Sequence, residues 1–255
     1  LDARQSARAI IQMQVGSTQE EVGQFGRLSI RTGRGQDTIT LRGSIQGTPA
    51  GQVVPLLITD TFQLDTGLGN DRLHIEHVEM RGATSIRTGA GNDTVNFLEN
   101  TVVGGLTMVL DSGNDTLTVE GGTFQRGLSI LTGGSLPDQD NLFLSGFDVN
   151  GNLKILTGND DDYVLLTGTN IAALPGTTQG GLSLNTGRGQ DRVDMVNLSI
   201  AKDMLINLGP DNDAISFSYV NVGGKGIVDG GSGADLLSRI ALQVPRGLTL
   251  LNFNP

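Results

Sequence analysis

Aspartates are the residues of this 255-residue chain whose type and spacing could do chemistry. Nine recur in near-copies of one turn: Asp37, Asp71, Asp93, Asp115, Asp140, Asp162, Asp191, Asp213 and Asp235. Asp138, Asp160 and Asp161 flank members of that series, and with Asp140 and Asp162 they form the densest acidic cluster. Carboxylates are hard oxygen donors, so a file of them suits Ca²⁺, which takes six to eight oxygens. Carboxylates also serve as acids and bases where a cation stands opposite. Lys154, close to the 160–162 group, is the one candidate for such a partner, and its plain reading is a solvated surface charge. His74 and His77 are the only histidines and lack an obvious third metal ligand. The Gly-x-Gly strings precede strands rather than helices, so they do not read as phosphate cradles. With no cysteine, disulfides and thiol chemistry are excluded.

Something must position these aspartates, and the spacing says what. Successive members lie 34, 22, 22, 25, 22, 29, 22 and 22 residues apart. A recurrent period in the twenties is the signature of a solenoid. Relative to each Asp, apolar residues alternate at −9/−7 (Leu28/Ile30, Leu182/Leu184), at +2/+4 (Ile39/Leu41, Val95/Phe97) and at −15/−13 (Leu56/Ile58, Val220/Val222). Alternation is the strand pattern. Three short strands per coil of about 22 residues predict an all-β parallel β-helix of nine to ten coils, right-handed by the general crossover preference. One coil cannot bury its few apolar side chains alone, so stacking must make the core.

In-register stacking brings the aspartates to ~5 Å from one another, where two unit charges repel by ~1 kcal/mol even in bulk water. Three things could offset this. Arg34, Arg72, Arg188 and Arg192 sit in or beside their turns. Backbone N–H groups of each turn could donate to its own Asp. Calcium could bind between rungs. Gly230-Gly231-Ser232-Gly233-Ala234-Asp235-Leu236-Leu237 resembles the calcium repeat of the RTX (haemolysin-type) proteins, G-G-x-G-x-D-x-U-x, where U is a large apolar residue. The other copies replace the first Gly, mostly by Thr, and the motif comes once per coil rather than twice. The resemblance covers only the turns. It implies Ca²⁺ held by the Asp and the turn carbonyls of successive rungs. Turn chemistry alone, in which Gly and Asn adopt left-handed conformations and no metal binds, accounts for the same motif.

Composition agrees with a solenoid. Gly numbers 38 and aromatics are 4%, as coil corners and a narrow interior require. The net charge of −10, with only Lys154, Lys202 and Lys225 as lysines, argues against nucleic acid as a partner. No apolar run reaches membrane-spanning length. The 255 residues read as one solenoid domain, with 1–26 as an N-terminal cap containing the alternating Ile11, Met13 and Val15, and 27–255 as repeats. Insertions fall within 42–55, at Ser135-Leu136-Pro137 and within 169–180. Arg239, at an inward position, marks where the core opens. The outward Val109, Leu131 and Leu156, and Phe143, Tyr163 and Leu165, form two apolar groups open to a partner or a covering loop.

The reading that follows is a non-catalytic structural, adhesive or spacer module of a bacterial cell-surface or secreted protein. It is expected to be part of a longer chain and extracellular, with Ca²⁺ along the Asp file and a polysaccharide or another surface protein as partner. The alternative is a β-helix that binds polysaccharide or cleaves it in the manner of a lyase. Fold analogy alone carries that alternative.

Overall fold

The computed structural model describes residues 10–14, 24–45, 53–133 and 138–253. It is an all-β solenoid of about nine turns built from stacked parallel strands. The first face is a ten-stranded sheet running from Leu28–Arg34 through Phe62–Leu68, Thr84–Ala90 and so on to Leu248–Leu251. The +2/+4 segments stack as the second face, from Ile10–Gln14 and Thr38–Arg42 to Leu236–Gln243. Shorter strands such as Leu56–Ile58, Val78–Met80 and Thr101–Val102 form the third. In the last coils the second and third faces run together in the nine-residue strands Arg192–Ile200 and Ala214–Val222, which turn the corner at Asn197 and Tyr219, both with positive φ.

Residues 22 apart lie over one another, as the period requires. Thr84 pairs with Phe62, Ile86 with Leu64 and Val95 with Leu73. The insertions do not disturb this register: Leu28 pairs with Phe62, Leu128 with Leu153 and Leu153 with Leu182. Nine steps of ~4.8 Å make a rod about 43 Å long. The predicted inward residues are buried, including Ile30, Ile39, Ile58, Met108, Val164 and Phe217. Phe97 stacks on Phe124 at 5.9 Å between ring centroids, and Phe124 meets Phe147 edge to face at 5.5 Å.

A strand at Ile10–Gln14 runs parallel to Thr38–Arg42, while Val15 and the rest of 1–23 lie outside the described residues. The 42–55 insertion leaves and returns through a short antiparallel pair, Ser44–Ile45 with Val53–Val54. Its tip, 46–52, and Ser135-Leu136-Pro137 lie outside the described residues. At the C-terminal end Arg239 is exposed, and Leu237, Leu242, Leu248 and Leu250 are only half-buried, so the core opens there.

Candidate functional site

Each motif copy forms the corner between the first and second faces. Its glycines have positive φ, as in Gly67 and Gly69 or Gly89 and Gly91, and where Asp160 or Asp211 replaces the second glycine the φ stays positive, at 78° and 90°. That geometry, with glycine columns packed carbonyl against Cα, turns the following Asp inward rather than toward solvent. All nine aspartates of the series are buried, at 0–2% exposure.

They form a file of hydrogen bonds. Oδ1 of Asp71 accepts from the backbone N–H of Asp37 at 2.7 Å, and Asp93 accepts from Asp71 at 2.8 Å. The pattern continues through Asp115, Asp140, Asp162, Asp191, Asp213 and Asp235, each taking the N–H of the Asp one rung before, at 2.7–2.9 Å. The donor is therefore the neighbouring rung, not the same turn as the sequence suggested. The four turn arginines do not neutralise the file: Arg34, Arg72, Arg188 and Arg192 are exposed outside the coil, and Arg192 pairs with Asp194.

A second row runs beside it. Thr32, Thr66, Thr88, Thr132, Thr157 and Thr186, five residues before the Asp in uninterrupted copies, are buried and give their hydroxyl protons to carbonyls of the next rung. A third row, on the exposed side, runs in the opposite sense: Asn70 accepts from the N–H of Asn92, Asn92 from Asn114, Asn114 from Gln139, and Asn212 from Ala234. The Asn row was legible as stacking turn chemistry. The Thr row was visible only as a substitution for the first motif Gly, and its role follows from burial.

One oxygen per rung remains. The Oδ2 atoms of Asp71, Asp93, Asp115, Asp140, Asp162, Asp191, Asp213 and Asp235 are buried and accept nothing. Burial, the largest influence, pushes Asp71 up from the ordinary 3.8, Asp93 and Asp191 to about 7, Asp162 to about 8, Asp115 to about 9, and Asp140 and Asp213 to about 6. The N–H of the preceding Asp, donated to Oδ1, pulls the other way. Asp115, the highest, and Asp213, at about 6, both have Leu (Leu110 and Leu208) where the Thr-bearing rungs have Thr. Neighbouring acids, among them Asp138, Asp161 and Asp211, push upward too.

A proton completes the pattern. The Thr hydroxyl has a single proton, which goes to the carbonyl, so its lone pairs are left for an Oδ2–H donor. In the Thr-bearing rungs a neutral Asp then satisfies both of its oxygens, whereas an ionised Oδ2 has only lone pairs to face. Asp162→Asn mimics the neutral form: its Oδ1 still takes the N–H of Asp140, and its amide faces Thr157. We expect Asp162→Asn to unfold in urea at pH 9 at a midpoint no lower than the parent. Asp162→Ala leaves that buried N–H without its acceptor and should cost about 1–3 kcal/mol at any pH.

The residues also bear on calcium. Buried carboxylate and hydroxyl oxygens are the hard donors it takes. Yet the Oδ1 atoms are held by N–H groups, as are turn carbonyls such as Leu68, Ala90 and Ser112. Among the described residues no three of His, Cys, Asp and Glu are grouped to hold a metal. The cluster at 138–162 is divided: Asp140 and Asp162 belong to the buried file, Asp160 accepts from the N–H of Asp138, and Asp161, exposed, accepts from Gln190.

The remaining candidates separate from the file. Lys154 faces outward on the first face, whereas Asp162 is inside the coil, so Lys154 does not stand opposite the acids. His74 and His77 both approach Glu76, which also pairs with Arg42. Burial would raise the Glu76 pKa, but the hydrogen bonds from Arg42 and His74 prevail and lower it. This ion cluster was not foreseen. Phe143 and Tyr163 meet edge to face at 5.9 Å, and Leu131 and Leu156 line a shallow hollow of about 280 Å³ with Gly133, Gly158, Asn185 and Gly187. No family model, curated protein or solved structure matches this chain.

Proposed function

We propose that this chain is a rigid, non-catalytic structural module, a spacer or adhesive scaffold of a bacterial cell-surface or secreted protein. The observation that carries the reading is the unbroken register: rungs are locked by backbone ladders and by Asp, Thr and Asn rows, and the Asp file lies inside the coil rather than in a substrate groove. A parallel solenoid has nearest-neighbour contacts only, so stiffness must come from every interface. The absence of cysteine makes the test clean. Spin labels on Gln63→Cys and Ile227→Cys, both outward on the first face and seven rungs apart, should report one narrow distance near ~34 Å. A broad or two-peaked distribution rejects a rigid spacer.

Calcium belongs to the same reading. Eight orphaned carboxyl oxygens in single file call for positive charge, from protons or from a cation. If calcium serves, millimolar Ca²⁺ at pH 8 should raise the melting temperature by about 5 °C or more over the same protein in chelator. An unchanged midpoint removes calcium from the proposal and leaves protons as the neutralising species.

A further inference from the structure

The cations of this acidic chain are not evenly spread. All three lysines, with Arg126, lie on the corner that leads from the third face into the first. Arg126 precedes the strand Leu128–Leu131, Lys154 is in Leu153–Asn159, Lys202 precedes Met204–Asn207 and Lys225 precedes Gly226–Asp229. Arg42, Arg81, Arg87 and Arg192 are each paired with a carboxylate. Among the described residues none of the four corner cations is. In a protein of net charge −10, four unneutralised cations on one edge are a local reversal of sign.

Three of them border an open groove. One stretch, of about 620 Å³, is bounded by Arg126 and Lys154 at one end and Thr61 at the other. A second, of about 320 Å³, continues past Lys154 to Lys202, Asp203 and Thr178 of the 169–180 insertion. Asn152 and Lys154 line both, so the two are continuous. Along the first stretch the strands present Gln63, Ser85, Thr107 and Ser129, one polar side chain per rung at ~4.8 Å intervals. Asp203 is the one acid in the lining, and its carboxylate accepts from the N–H of Lys225 at 2.8 Å.

Gly105 supplies an independent sign that the floor is kept open. Most glycines here are demanded by positive φ or by a neighbouring backbone that a Cβ would strike. Gly105 has neither reason: its φ is ordinary and a Cβ there would meet nothing within 4 Å. What its missing side chain leaves free is the groove.

We propose that this groove binds a linear anionic polysaccharide, with Arg126, Lys154 and Lys202 meeting its acid groups and the rung-spaced hydroxyl and amide side chains meeting its hydroxyls. The surface is separate from the Asp file and uses none of its carboxylates. Nucleic acid fits poorly: the net charge opposes it, and the only aromatic in the lining, Phe62, is buried and cannot stack on a base. An acidic peptide fits poorly as well, since the first-face strands here already have a neighbour on each side and offer no edge to extend.

The test is fluorescence anisotropy with labelled oligogalacturonate long enough to span the groove. Two controls have matched length: the fully methyl-esterified oligomer, which is neutral, and polyglutamate. The uronate should bind with an affinity that falls as salt rises, and each control should bind about tenfold more weakly or worse. Lys154→Gln and Lys202→Gln should each weaken uronate binding severalfold. Gly105→Trp should block it while leaving the melting temperature unchanged. No uronate binding at millimolar ligand, equal binding of polyglutamate, or affinity untouched by Lys154→Gln and Gly105→Trp in folded protein would each overturn the assignment.

Discussion

Raising the pH from 5 to 9 in the presence of chelator should lower the melting temperature by about 10 °C or more, which for a chain of this size is only a few kcal/mol. The sign follows from proton counts. In the unfolded chain each Asp titrates near 3.8, whereas in the fold Asp140 and Asp213 hold their protons to about 6, Asp93 and Asp191 to about 7, Asp162 to about 8 and Asp115 to about 9. Between those limits the folded state binds more protons than the unfolded one, so stability falls as pH rises. It is greatest just below pH 4 as far as these groups are concerned, and the loss is complete once pH exceeds about 9. Most proteins lose stability in acid because paired carboxylates must be protonated. This file runs the other way, because its carboxyls are buried beside one another. Circular dichroism melts at four pH values settle it: a midpoint that climbs from pH 5 to pH 9 without added cation would mean the aspartates are ionised in the fold. Asp162→Asn should flatten the profile between pH 7 and 9, since it removes one of the groups that titrates there.

How much of this was readable beforehand depends on the physical origin of each feature. Strand positions were legible because alternation is local: Leu28/Ile30 or Val95/Phe97 announce an inward face without knowledge of the neighbours. Register was legible because Asp71, Asp93 and Asp115 recur at a constant interval, and insertions could be subtracted. Which way the Asp points was not. The motif Thr-Gly-x-Gly-x-Asp is compatible with a carboxylate facing solvent between turns, as the RTX resemblance implies, or folded into the coil. Only the corner geometry, with positive φ at the turn positions, decides for the interior. Thr88 and its counterparts were hidden for a related reason. Their partners are carbonyls 22 residues on, such as Leu110 for Thr88, and backbone acceptors leave no mark in a sequence. The corner cations were hidden because their clustering exists only once the rungs are stacked: Arg126, Lys154 and Lys202 are 28 and 48 residues apart in the chain.

Gly187→Ala should be among the most damaging single methyls in the molecule, costing more than about 4 kcal/mol or preventing soluble expression. Gly187 has φ +97, where a side chain is strained in any surroundings, and its Cβ would fall far inside van der Waals contact of the Gly158 carbonyl oxygen. The obstacle is backbone, so no rotamer change relieves it. Relief would require the Gly158 and Gly187 rungs to move apart, but that gap is fixed by strand pairing and by the hydrogen bonds from Thr157 to Thr186 and from Asp162 to Asp191. Spreading the rungs breaks all of these together, and because each coil is supported only by its neighbours, the coils on either side lose an interface. The column continues on the other side, where a Cβ on Gly209 would meet Gly187 in the same way. Gly105→Ala is the matched control: ordinary φ, nothing within 4 Å, and an expected change within about 0.5 kcal/mol. Urea unfolding of the two variants separates a stacked-backbone origin of stability from a generic cost of replacing glycine. Similar losses at both positions would remove the glycine columns from the account, and with them the reason the aspartates turn inward.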